Sequence, residues 1–212
     1  MSIAENPHKN RRPAKKTAES KSPAVLQPCL SKEEINLLPI RAWDGPIVLV
    51  QDEQALDSAL DLLWKEPVLG FDTETRPTFT KGKTCLPALI QLATGDTAYL
   101  IQLTHLPFNA RMAELLASPR VLKVGVAIHD DMKALARIHE FTPGGVVDLA
   151  ALARAKGIQA QGLRTLAANL LDFRISKNAQ CSNWENHELT PQQVKYAATD
   201  AWIGRELYFH LI

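Results

Sequence analysis

Apolar residues recur along this chain with two periods, and the switches between them outline a fold. Residues 46–50, "PIVLV", read as a short β-branched strand, and residues 51–66, "QDEQALDSALDLLWKE", carry Leu and Ala at helical spacing. Val68–Thr73 opens a second strand. "CLPALIQLAT" and "TAYLIQL" flank Gly95–Asp96, a turn signal, and predict a β-hairpin. "NARMAELLAS" predicts a helix closed by Pro119, and "VLKVGVAI", residues 121–128, a buried strand. A helix over "HDDMKALARIH", a strand over "GGVVDL" and a helix over "LAALARAKG" stopped by Gly157 come next. "GLRTLAANLL" predicts another helix, and residues 190–212 a long final one, with Thr190 as N-cap and Pro191 at its first position. Strands that are first hairpin-linked and then alternate with helices imply an α/β domain, a mixed β-sheet flanked by α-helices. No internal repeat is visible.

The 212 residues suit one domain with an extension, and 46% hydrophobic against 22% charged residues allow a real core. Residues 1–23 hold six Lys or Arg against two Glu, a balance of +4, which leaves the remainder, with 18 basic and 21 acidic residues, at −3. Polar, proline-bearing and without periodicity, the tail is expected to be disordered over residues 1–25, with the domain proper over 26–212. Cys29, Cys85 and Cys181 stand far apart with no CxxC pair, which excludes a disulfide framework or zinc knuckle and fits a reducing compartment. There is no apolar run long enough for a bilayer and no signal core, so no membrane association and a cytoplasmic address are expected.

The chemistry is concentrated in acids delivered by apolar elements. In "VLGFDTETRP" a buried-looking strand runs into Asp72 and Glu74, which two-residue spacing puts on one face. Two unneutralised carboxylates there repel, and one must take up a proton unless a hard cation such as Mg²⁺ or Mn²⁺ compensates. Asp-x-Glu alone is better explained as two surface acids at a strand end. Further along, Tyr196 and Asp200 stand four apart on one helix face, and Asp131 follows a second apolar strand. Taken singly, a core tyrosine, a surface acid and an acid complementing a helix dipole explain these three as well.

Together, "GFDTETRP" with "ALIQLAT", then "VGVAIHDDMKAL", then "CSNW" with "LTPQQVKYAATDA" resemble the three motifs of the DEDDy 3′–5′ exonucleases. That is the group of ribonuclease D and the Werner syndrome exonuclease domain, and the likeness to the latter is closer. It spans roughly residues 46–212 and implies an RNase H-like (DnaQ-like) fold. Residue by residue, it makes Asp72, Glu74, Asp131 and Asp200 the metal-binding catalytic acids and Tyr196 the family tyrosine. The implied activity is removal of nucleotides from single-stranded or recessed 3′ ends of a nucleic acid, with two divalent ions, Mg²⁺ or Mn²⁺, as cofactors. Asp72 would bridge both ions, Glu74 and Asp200 would complete one, Asp131 would hold the other, and Tyr196 would orient the attacking water.

With the folded part acidic, strand binding is expected to need a basic rim, for which Arg76, Lys81, Lys83, Arg174 and Lys177 are candidates. Thr73 and Trp184 join Arg76 and Lys177 as expected nucleic-acid contacts, with packing the other expectation for the "CSNW" segment that carries Trp184. Asp148 reads as an N-cap, Cys181 as inert, Met132 and Trp202 as core or site wall, and His129, His139 and His187 as surface groups. Two other readings stand beside this one. An aspartyl-phosphate phosphatase fits Glu74 poorly and leaves Tyr196 without a role, while a non-catalytic nucleic-acid-binding module of the same fold would not need the full acid set.

Overall fold

A computed structural model of the chain describes residues 29–78 and 85–212, together with Met1. The rest of the expected basic tail, and Lys81 and Lys83, lie outside the described residues. In chain order the elements are α1 (Lys32–Leu37), β1 (Ile47–Val50), α2 (Glu53–Leu63), β2 (Val68–Thr75), β3 (Pro87–Ala93), β4 (Ala98–Gln102) and α3 (Ala110–Ala117). There follow β5 (Leu122–Gly125), α4 (Ile128–Ala136), β6 (Val146–Asp148), α5 (Leu149–Ala155), α6 (Leu163–Leu171) and α7 (Pro191–Leu211).

The six strands form one sheet in the order β1-β4-β3-β2-β5-β6. β3 runs antiparallel to both β2 and β4, and the other neighbours pair in parallel, so the sheet is mixed as expected. Odd and even positions of the strands feed different cores. Leu69 and Phe71 of β2 pack with Ile90, Leu92 and Ile101 against α2, α3 and α4. Val68, Val124, Ile203 and Leu207 join α5, α6 and α7 on the opposite face. Alternation along β2 therefore puts Gly70, Asp72 and Glu74 on the α7 side. Among the described residues no helix is long and apolar enough to cross a membrane.

Two local features aim the acids. The expected strand over residues 121–128 ends at Gly125, and Ile128 already belongs to α4. Ala127 sits in the left-handed region at φ 57°, which reverses the chain at once and brings Asp131 in the first turn of α4 back to the end of β2. The second feature is the close seat of α7. A Cβ on Gly70 would stand 1.9 Å from the Ala201 carbonyl oxygen, and one on Gly204 3.1 Å from that of Val124. Beside this contact, Ala197 packs with Leu89 and Leu100, and Ala198 with Ala98 and Trp43. Small side chains on both elements let the helix lie directly on the strand that carries Asp72.

The helix is started by a capping box, in which the Thr190 Oγ1 accepts from the Gln193 N–H and the Gln193 side chain accepts from the Thr190 N–H. α1, which the hydrophobic pattern did not predict, starts with the same device, built from Ser31 and Glu34. A Gly70→Ala substitution is expected to lower unfolding free energy by about 2 kcal/mol or more, because backbone rather than a yielding side chain meets the new methyl. Denaturant unfolding measures it; an unchanged midpoint would contradict the close seat of α7.

Candidate active site

At the carboxyl end of β2, the side chains of Asp72 and Glu74 face Asp200 of α7. Carboxylate oxygens of these three residues lie within 4.8 Å of one another. They open into a cavity of about 330 Å³, whose other walls include Thr73, Gly125, Arg164, Lys177 and Tyr196. Asp131 joins from the other side of the sheet through a hydrogen bond, in which Thr73 Oγ1 donates to Asp131 Oδ1 at 2.6 Å. The Thr73 N–H donates to Asp72 Oδ1 at 2.9 Å, so one residue ties two acids together. β2 and β3 shift register between Glu74 and Thr75, which ends regular pairing at the rim of the cavity.

The electrostatics are those of like charges held out of water. Burial, then the neighbouring charges of Asp200 and Asp131, push the Asp72 carboxyl well above its usual range, opposed by the Thr73 N–H. Burial and the charges of Asp72, Asp200 and Asp131 raise Glu74 to about 9. Burial raises Asp200 to about 7, with the Tyr196 phenol pulling the other way. It raises Asp131 to about 6 against the Thr73 hydrogen bond. The Tyr196 phenol is itself pushed far up by burial and by Asp200 and Glu74, so it keeps its proton at any physiological pH. Asp200 Oδ1 is buried with no hydrogen-bond partner among the described residues. Such an orphaned oxygen, beside two more carboxylates, is what a cation ligand looks like without its cation. The donors are all oxygen, which suits a hard divalent ion.

The structure thus brings together Asp72, Glu74, Asp131, Tyr196 and Asp200 and parts some of the expected strand contacts from them. Trp184 is the main correction. It is 0% exposed, packed with Leu89, Leu100 and Ala197, and its ring centroid lies 6.0 Å from that of Tyr196. It supports the tyrosine from behind and offers a strand no surface. Arg76 is paired with Glu185 at 3.1 Å and does not line the cavity. Arg174 turns its Nε to the Leu38 carbonyl. Lys177 does line the cavity, as does Thr73, whose hydroxyl is committed to Asp131. Asp148 caps α5 through the Ala151 N–H, and His129, His139 and His187 are exposed.

The start of α6 was missed as part of the site. Gly162, Leu163, Arg164 and Thr165 form one wall, with no side chain capping that helix end. A glycine opening a helix with a basic residue in its first turn was the available signal. Gln91 was missed as well: it stands directly across from Asp72 on β3, fully buried, with neither side-chain amide atom hydrogen-bonded among the described residues.

Residues 47–212 match the sequence family described as 3′-5′ exonuclease. Exonuclease 3′-5′ domain-containing protein 2 of Mus musculus is 32% identical over 188 residues, covering 81% of this chain and 29% of that protein. The bifunctional 3′-5′ exonuclease/ATP-dependent helicase WRN of Mus musculus is 33% identical, covering 66% of this chain and 10% of that protein. Ribonuclease D of Haemophilus influenzae is 31% identical, covering 76% and 40% respectively. The chain therefore spans well under half the length of these relatives. The Aedes aegypti Nibbler EXO domain superposes with a TM-score of 0.73 at 25% identity, over 82% of this chain and 90% of that one. Escherichia coli RNase D superposes at 0.68 with 23% identity, over 77% and 44%, which speaks for a shared fold. On its sequence and its RNase H-like architecture, this chain belongs to the 3′-5′ exonuclease family.

Proposed function

We propose that this chain removes nucleotides one at a time from the 3′ end of a nucleic-acid strand by metal-dependent phosphodiester hydrolysis. The observation that carries the reading is the trio of carboxylates, Asp72, Glu74 and Asp200, gathered within 4.8 Å in a cavity large enough for a nucleotide. In this reading Asp72, Glu74, Asp131 and Asp200 hold the cations. Two divalent ions, Mg²⁺ or Mn²⁺, would lower the pKa of a water and offset charge building on the phosphodiester.

The chain's own groups divide the remaining work. Asp72 groups with Glu74 and Asp200 on one side and is tied through Thr73 to Asp131 on the other, and so is placed to serve both sides of the cluster. Thr73 fixes the Asp131 oxygen it binds and leaves the other free. Tyr196, holding its proton, cannot serve as a base; it can orient a water or a phosphate oxygen by donating to it. Lys177 and Arg164 on the opposite wall supply positive charge for the substrate phosphate, which the acidic cluster would otherwise repel. The acid set is complete, which disfavours the non-catalytic alternative. The name of ribonuclease D and the exonuclease–helicase pairing in WRN make RNA and DNA both worth assaying.

With 5′-labelled single-stranded and recessed DNA, and matching RNA, in Mg²⁺ or Mn²⁺, the wild type is expected to yield a stepwise ladder from the 3′ end. Asp72→Ala should abolish it, as should a chelator; a ladder undiminished in both would refute the reading. Tyr196→Phe should keep cation affinity, followed by calorimetric titration, and lose about a hundredfold in rate. A wild-type rate in this variant would remove the orienting role.

Stability should depend on pH in a defined direction. Asp131, Asp200 and Glu74 are raised on folding to about 6, 7 and 9, so each binds protons more tightly in the folded state. Their stabilisation is full below about pH 4 and is lost as pH rises through those folded values. Metal-free protein should therefore lose about 5 °C or more in Tm between pH 5 and pH 9. Saturating Mn²⁺ should restore more at pH 9 than at pH 5, and Asp200→Asn should flatten the metal-free profile. A Tm equally pH-dependent in wild type and Asp200→Asn would contradict the charge crowding.

A further inference from the structure

A second cavity, of about 150 Å³, shares Ser176 and Tyr196 with the acidic one, so the two adjoin at the tyrosine. Its remaining walls include Arg41, Asn178, Gln192 and Lys195, and among the described residues no acidic one lines it. One of its cations comes from an unexpected place. Arg41 precedes the residues that match the exonuclease family, which begin at 47, and lies in a strap laid across the base of α7. The strap is firmly held. The Arg41 N–H donates to the Arg174 carbonyl at 2.9 Å, the Arg174 N–H donates to that of Pro39 at 2.9 Å, and the Trp43 N–H donates to Thr199 Oγ1 at 3.0 Å. Trp43 is buried at 7% exposure, its ring centroid 5.7 Å from that of Trp202. The Arg41 guanidinium stands 5.3 Å above the centroid of the Phe173 ring, which limits its motion while leaving the residue exposed. Lys195, one residue before Tyr196, is exposed on the α7 wall.

We infer that this groove binds the nucleotide next to the 3′-terminal one, with Arg41 and Lys195 on its phosphate and its base against Tyr196 and Ala179. The inference rests on the exonuclease reading for the identity of the ligand. Three features favour this occupant. The groove adjoins the cavity that would hold the terminal nucleotide, with Ser176 and Tyr196 common to both. Its charge is opposite to that of the acidic cluster and complements a phosphodiester. Its floor of Ala42, Ala179 and an aromatic ring, with the amides of Asn178 and Gln192 at the edge, offers a base a stacking surface and hydrogen-bonding groups. Tyr196 would then touch both nucleotides, and the strap would extend the family domain by one binding position.

The test is a binding competition against a labelled single strand in Ca²⁺, which fills divalent sites without supporting turnover in Mg²⁺-dependent nucleases. Unlabelled mononucleotide and dinucleotide 5′-phosphates serve as competitors. Wild type should bind the dinucleotide about tenfold more tightly than the mononucleotide. Arg41→Gln with Lys195→Gln should erase that increment and leave mononucleotide affinity unchanged, and Arg41→Glu alone should do at least as much. For strand shortening in Mg²⁺, the double variant should raise KM about tenfold and leave kcat within about twofold. The slope of log(kcat/KM) against log salt should become shallower by about 1.4. An increment that survives in the double variant, or a fall in mononucleotide affinity alongside it, overturns the groove. Normal binding increments without any strand shortening by wild type would instead overturn the exonuclease reading and leave the groove standing.

Discussion

Several carboxylates crowded at the end of one buried strand, with no cation among them from the described residues, set the terms for this molecule. Withdrawn from water, all four hold protons more tightly, Asp72 and Glu74 also because of their neighbours' charges, and Asp200 has an oxygen that no group among the described residues satisfies. A fold could avoid this by turning the acids to solvent or by placing an arginine between them. This chain does neither. The cations that line the cavity among the described residues, Arg164 and Lys177, stand at the start of α6 and in the segment before α7. The arrangement is stable at neutral pH only if protons or external cations neutralise it, and the second alternative connects the strain to hydrolysis.

Holding that crowd together falls to backbone contacts more than to the acids themselves. α7 reaches β2 because Gly70 and Gly204 carry no side chain where the helix meets the sheet. Helical spacing then delivers Tyr196 and Asp200 to the same end of the strand. From the other face, the left-handed turn at Ala127 starts α4 early enough for Asp131 to meet Thr73. Trp184, wholly enclosed, backs the tyrosine ring. The site therefore samples three distant parts of the sequence, and its precision depends on how closely a helix and a strand can approach.

The acids and the tyrosine were legible because they are local: two-residue spacing on a strand, four-residue spacing on a helix, and apolar runs that lead into them. The hairpin turn at Gly95–Asp96 and the caps at Thr190 and Asp148 were readable for the same reason. What escaped depends on tertiary placement. Trp184 was expected near the strand, but nothing in "CSNW" says that Leu89, Leu100 and Ala197 close over it. Arg76 read as a free basic side chain until Glu185, far along the chain, was seen to pair with it. Lys123 read as part of a strand. Its Nζ in fact donates to the carbonyls of Leu115, Ser118 and Val121 in the interior, and burial lowers it to about 8. The strap carrying Arg41 has no periodicity to mark it, and its role follows only from its seat beside Phe173.

The family relationship and the geometry meet in one claim, that divalent cations neutralise the cluster. Crystals grown without metal and then soaked in Mn²⁺ near pH 8 test it directly through anomalous scattering. The account predicts strong peaks among the oxygens of Asp72, Glu74 and Asp200, weakened in Asp200→Asn crystals treated alike. An empty cluster in well-diffracting soaked crystals, with the acids in unchanged positions, would contradict it.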